Sequence, residues 1–89
     1  MANERNLDFA ARLRVARHYR ELSQKVVAAH LHLDRSTYAY YETGKSLPNL
    51  RTLRDLCTYM KVPVDFLLDM PPIPQNPELE TILAEQYKK

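Results

Sequence analysis

Apolar residues recur along the chain at intervals of three and four, the spacing that gathers side chains on one side of an α-helix. Phe9, Leu13 and Ala16 form such a stripe. They predict a first helix from about Leu7 to Arg20, with Asn6 as N-cap and Arg12, Arg14 and Arg20 pointing away from the stripe. Val27, Ala28 and Leu31 predict a short second helix opened by Ser23. His32 to Asp34 leave no room for a loop with its own structure, so a third helix follows at once. It is expected to be capped by Asp34 and stopped by Gly44, whose lack of a Cβ suits the left-handed backbone at a helix end. Leu50, Leu53, Leu56, Cys57 and Met60 predict a mostly buried fourth helix after Pro48, with Asn49 as cap. Val62, Val64, Leu67 and Leu68 predict a short fifth helix that closes the core.

The pattern changes after residue 69. "MPPIPQNP" has four prolines in eight residues and reads as an extended linker over 70–77, because proline removes a backbone donor and clashes inside a helix. Residues 78–89 then carry Leu79, Ile82, Leu83 and Tyr87 on one side, an amphipathic tail helix of about three turns. Such a helix is marginal alone in water, so its stripe is expected to be covered, with a second chain favoured over the protein's own helices. The expected organisation is a helical domain over 7–69, a linker and a tail helix, all-α throughout.

Three tyrosines in four positions give the third helix a question of its own. At about 100° per residue, Thr37, Tyr38 and Tyr41 share one side, while Arg35, Ser36, Ala39 and Tyr40 share the other. Tyr38 and Tyr41 are therefore expected in the core and Tyr40 on display.

Composition adds little to this picture but excludes several classes. Eighty-nine residues allow one small domain with one modest core. The single cysteine, Cys57, precludes an internal disulfide and suits a reducing compartment. It falls on the buried stripe, where it acts as a small apolar filler. No leader-like segment or apolar run of membrane length is present, so a cytoplasmic protein without a membrane partner is expected. The net charge is only +2, yet residues 1–50 hold eight Lys/Arg against five Asp/Glu, whereas residues 51–89 hold five against six. The basic excess lies with the tyrosine helix, although a solvated surface accounts for so small a surplus equally well.

Two short helices joined by a tight turn make a helix-turn-helix pattern. The segment "SQKVVAAHLHLDRSTYAYYETGKSLPNL" resembles the DNA-binding domain of the Cro/CI-type phage repressors, the XRE family. The matching features are Ser23-Gln24, Ala28, Leu33, Ser36-Thr37, Glu42-x-Gly44-Lys45, Pro48, a Leu-rich fourth helix and Asp65-Phe66-Leu67-Leu68, spread over about residues 9–69. The resemblance implies a five-helix, lambda-repressor-like domain that lays helix 35–42 in the major groove. On that reading Arg35, Ser36, Ala39 and Tyr40 face base edges: Arg35 suits guanine, Ser36 pairs with several bases and Ala39 offers a methyl contact to thymine. Gln24 at the start of the second helix, and Thr43 and Lys45 just beyond the third, are placed for phosphates. Arg17 and Glu42 occupy the positions of a structural ion pair between the first and third helices.

Three residues depart from the family pattern. His32 stands at the turn position usually held by glycine, which requires histidine in the left-handed region. Asp34 stands where Ser or Thr is commoner and brings negative charge toward the DNA. Val26 is apolar where a polar residue is usual.

No catalytic or metal chemistry is legible. His30 and His32 are two apart and point to different sides, no cysteine lies beside them, and His18 is remote. There is no phosphate-cradling glycine loop and no nucleophile–base arrangement, so neither an enzyme nor a cofactor is expected. The expectation is a sequence-specific transcriptional regulator, a repressor in this family more often than not. It binds double-stranded DNA as a homodimer, because one helix contacts too few base pairs for useful specificity. The alternative is a protein-interaction module, antitoxin-like or anti-regulator in type, favoured by the modest charge and the apolar tail. The sequence identifies no small-molecule effector.

Overall fold

Local capping chemistry divides the described residues into six helices. The computed structural model describes residues 4–87, and among these the regular structure is entirely helical. The helices are α1 (Glu4–Tyr19), α2 (Gln24–His30), α3 (Arg35–Thr43), α4 (Leu50–Met60), α5 (Val64–Leu68) and α6 (Pro77–Gln86). Ser23 accepts from the Val26 amide at 3.1 Å and opens α2. Asn49 accepts from Thr52 at 2.8 Å and opens α4. Each satisfies a backbone donor that a helix start leaves without a partner. Gly44 ends α3 with φ 82°, and His32 takes φ 58° in the turn between α2 and α3.

Two caps differ from expectation. Asn6 lies inside α1, and its side-chain amide donates to the Gly44 carbonyl at 3.4 Å. Asp34 occupies the N-cap position of α3 with extended backbone, but its side chain makes no capping bond. Position and backbone are those of a cap; the carboxylate stays exposed.

The core gathers Phe9, Leu13 and Ala16 of α1, Val27 and Ala28 of α2, Tyr38 and Tyr41 of α3, Leu56 and Met60 of α4, and Leu67 of α5. Leu31, Leu33, Leu53, Cys57 and Val62 pack at its edge, half-buried. Burial raises the pKa of the Cys57 thiol, as suits a neutral filler. Three residues expected inside are not. Leu50, the first residue of α4, is 84% exposed, and Val64 and Leu68 are also exposed. A five-residue helix makes little more than one turn, so α5 directs one side chain, Leu67, inward.

Arg12 and Arg14 of α1 and Arg20 just beyond its end, the arginines that avoid the stripe, act as ties. Arg12 donates to the Phe66 carbonyl at 2.8 Å and pairs with Asp69 at 2.9 Å and Asp8 at 3.3 Å. Arg20 donates to the carbonyls of Met60 at 2.7 Å and Lys61 at 3.1 Å. Arg14 donates to the Glu42 carbonyl. These bonds fasten α1 to the ends of α3, α4 and α5, where helix carbonyls lack intrahelical partners.

Pro77 is the first residue of α6, a position where its missing N–H costs nothing, so the extended segment covers 70–76. Leu79, Ile82, Leu83 and Tyr87 do share a side, but every residue from 68 to 87 is exposed. Among the described residues, no helix covers the stripe. Lys88 and Lys89, included in the tail expected from sequence, lie outside the described residues.

Candidate nucleic-acid interface

The site is built on α3, which has one face held and one face free. Tyr38 is fully buried and Tyr41 is 7% exposed; their rings meet edge to face at 6.1 Å between centroids. Tyr40, between them in sequence, is 46% exposed. Arg35 and Ser36 share its open side, and Ala39 is half-buried beside them. The structure thus brings Arg35, Ser36, Ala39 and Tyr40 onto one outward surface.

What holds α3 is a carboxylate. Glu42 is 1% exposed and receives four donors. Oε2 accepts from Arg17 Nε at 2.6 Å and from the Tyr38 hydroxyl; Oε1 accepts from Arg17 Nη2 and from Gln24 Nε2, both at 3.0 Å. Arg17 Nη1 donates onward to the Leu22 carbonyl at 2.8 Å. A carboxylate has about four acceptor sites, and here each has a partner. Among the described residues, no buried side-chain nitrogen or oxygen lacks one. Burial by itself pushes the Glu42 carboxyl upward, but the hydrogen bonds from Arg17, Tyr38 and Gln24 outweigh it and hold the pKa below the ordinary carboxylate value. The same bond to Glu42 raises Arg17. Tyr38 is raised first by desolvation and then by the adjoining carboxylate, so its hydroxyl stays protonated and donating.

Gln24 therefore sits differently from the place the sequence suggests. Its side-chain amide group is directed at Glu42 rather than left free at the start of α2, tying α2 into the same cluster. Thr43 is the last residue of α3 rather than beyond it, and its hydroxyl donates to the Tyr40 carbonyl at 3.3 Å. The same carbonyl accepts from the amides of Lys45 at 3.1 Å and Ser46 at 3.3 Å, which turns the chain sharply. That turn places Lys45 Nζ over the Tyr40 ring, 5.1 Å from its centroid, so cation and ring form one exposed unit at the end of α3.

Sequence reasoning overlooked three contributors to this arrangement: Tyr38 as a donor, Arg14 and Asn6. Tyr38 lies one helical turn before Glu42, and Arg14 one turn before Arg17, so i,i+4 and i,i+3 spacing pointed to both. Asn6 reaches 38 residues along the chain to Gly44, and no local signal announces it. Elsewhere, His30 stacks on Tyr59 with centroids 3.7 Å apart, and Val26 is exposed on α2. No cluster of metal-ligating residues occurs among the described residues, and no helix among them is long and apolar enough to cross a membrane.

Comparison with known proteins places this geometry. A protein of Bacillus subtilis (strain 168), the SPbeta prophage-derived uncharacterized HTH-type transcriptional regulator YonR, is 40% identical over 60 residues, 67% of this chain and 56% of that protein. The aligned segment thus spans little more than half the length of that relative. The crystal structure of a transcriptional regulator from Listeria innocua has the same fold, with a TM-score of 0.65 at 24% identity over 91% of this chain and 77% of that one. A family model for the helix-turn-helix domain matches residues 8–67, the stretch from the first core residues of α1 to the one buried side chain of α5. With α2 and α3 meeting across a four-residue turn inside that match, the chain belongs to the helix-turn-helix domain family.

Proposed function

We propose that this protein is a sequence-specific DNA-binding transcriptional regulator, most simply a repressor, that reads the major groove with α3. The observation that carries the reading is the division of α3. Its inner face is locked through Glu42, while Arg35, Ser36, Ala39 and Tyr40 lie together on the outward face, with the Lys45 ammonium over the Tyr40 ring. A helix that presents base-reading side chains must itself be held rigidly, because a small tilt moves every contact at once. Arg35 and Ser36, in its first turn, are placed to meet base edges, with Arg35 bidentate to guanine. Ala39 and Tyr40 follow one turn on, contacting a thymine methyl or a base edge. Lys45 and Thr43 supply phosphate contacts at the C-terminal end. Gln24 contributes a phosphate contact from the start of α2, through its backbone N–H or the second N–H of the side-chain amide whose first is given to Glu42. Occupancy of an operator blocks polymerase, and the mechanism requires neither chemistry nor a cofactor.

On this reading the helical domain over 7–69 binds DNA, the proline-rich segment over 70–77 spaces it from the tail, and the tail over 78–89 joins two copies. Two copies present two α3 helices to half-sites about 34–36 Å apart. The protein acts in the cytoplasm. Selecting bound sequences from a random duplex pool tests binding, specificity and dimerisation together: a palindromic motif is expected, and recovery of unenriched sequence overturns the reading.

One observation favours a second reading, a protein-interaction module. The stripe of α6 is apolar and uncovered, as a partner-binding helix requires. Duplex binding titrated with salt separates the two. Steep salt dependence follows from phosphate contacts, and no binding at low salt leaves only the protein partner.

A further inference from the structure

An apolar groove of about 310 Å³ runs between α1 and the α4–α5 corner. Val15, Tyr19, Met60, Val62, Pro63 and Phe66 line it, with Arg20 and Lys61 at its rim. It is open: Val15 is 58% exposed, and Tyr19 and Phe66 are exposed as well. None of these side chains belongs to the face that holds α3. On the wheel of α1, Val15 and Tyr19 lie between about 100° and 160° from Arg14 and Arg17. An occupant of the groove therefore leaves α3 uncovered.

We infer that this groove receives the α6 stripe of a second copy of the chain, and that the exchange is reciprocal, each copy seating the other's tail. The inference deepens the two-copy reading above and rests on it. Three observations select the occupant. The first is chemistry: α6 exposes Leu79, Ile82, Leu83 and Tyr87, with Glu78 and Glu80 bordering the stripe on either side of the helical wheel. The described part of α6 carries three carboxylates, Glu78, Glu80 and Glu85, and no cation, whereas the groove rim carries Arg20 and Lys61. An apolar floor with a basic rim complements an apolar stripe with acidic borders.

The second observation is the linker. Residues 70–76 include three prolines, and such a segment is a semi-rigid spacer of about 3 Å per residue. It leaves the domain only a few residues after Phe66, which is itself in the groove. Return to the same groove needs a sharp reversal that the prolines resist, and in the structure every residue from 68 to 87 is exposed. The third is size. A ten-residue helix is only about 15 Å long, so two tails paired with each other bury too little for a stable interface of about 1,200 Å². Two tails in two grooves double the contact and add the walls of each groove.

Complementation between two full-length variants tests the exchange by sedimentation, without DNA. Val15→Glu places an anion in the groove at an exposed position, and an unchanged melting temperature verifies the fold. Leu79→Ser/Leu83→Ser breaks the stripe in a helix that contributes nothing to the core. The wild type is expected to be a dimer at micromolar concentration and each variant a monomer. An equimolar mixture is expected to form heterodimer, at higher concentration than the wild type, because one of the two contacts remains: the intact tail of one in the intact groove of the other. A dimeric Val15→Glu variant overturns the groove assignment and spares the two-copy reading, and so does a mixture that remains monomeric into the millimolar range. A monomeric wild type overturns both, while the duplex-selection experiment reports on DNA reading separately.

Discussion

Arg17 and Glu42 meet side-on across α1 and α3, with Nε–Oε2 at 2.6 Å and Nη2–Oε1 at 3.0 Å, and Glu42 almost fully buried. Two parallel bonds between planar groups fix orientation as well as distance. Because Tyr38 and Gln24 donate to the same carboxylate, this one group ties three helices together. The exposed face of α3 is oriented by chemistry on its hidden side.

Removing one partner leaves the other charge buried and unpaired, which costs about 3–5 kcal/mol for such pairs. Glu42→Ala is accordingly expected to lower thermal stability steeply. The pH dependence has a definite sign. The folded pKa of Glu42 lies below its unfolded value, so its contribution is complete above the unfolded pKa of about 4.3 and is lost as pH falls through the folded value. Melting curves of the wild type should show this acid loss, and in Glu42→Gln it should be largely absent. An identical acid profile in both would assign the loss to other carboxylates.

Tyr40 and Tyr41 should respond differently to truncation. Tyr41→Ala empties a buried site and is expected to cost about 3–5 kcal/mol, a large share of the stability of a domain this small. Tyr40→Ala loses only the exposed contact with Lys45, at most about 1 kcal/mol, and is expected to weaken operator binding instead. Equal losses in chemical denaturation would contradict this division of α3.

Lys45→Ala should weaken binding to all duplexes alike and reduce the salt slope by about one unit, because a phosphate contact carries no sequence information. Arg35→Ala should cost about 1–3 kcal/mol at the operator and relax one base position. Both are exposed and lie outside the core, so melting temperatures should hold. Equal loss on specific and random duplex by both variants would remove Arg35 from the groove.

The two N-cap positions give a further contrast. Ser23→Ala loses a cap bond and should cost about 1 kcal/mol. Asp34→Ala loses none and should leave stability nearly unchanged, while removing an exposed negative charge next to the proposed DNA surface. Affinity for random duplex at low salt is then expected to rise. Equal denaturation midpoints for the two variants would show that Asp34 caps in solution.

Sequence alone determined what depends on neighbours in the chain. Ser23, Asn49 and Gly44 act within a few residues of themselves, so the helix boundaries they set were legible. Helical spacing likewise separates Tyr40 from Tyr38 and Tyr41 without knowledge of any other helix. Spacing says which side of a helix a residue occupies, but not whether another element covers that side. Leu50 lies on the apolar stripe of α4 and is nonetheless exposed, and the tail stripe has the right spacing and no cover among the described residues. The ties from Arg12, Arg20 and Asn6 end on backbone carbonyls 38 to 54 residues away, and every residue type offers such a carbonyl. Nothing in a side-chain pattern marks which one is used. The charge cluster was half legible for the same reason: Glu42 and Arg17 are charged residues at telling positions, whereas the inward turn of Gln24 exists only because packing α2 on α3 brings its amide within 3.0 Å of a buried carboxylate.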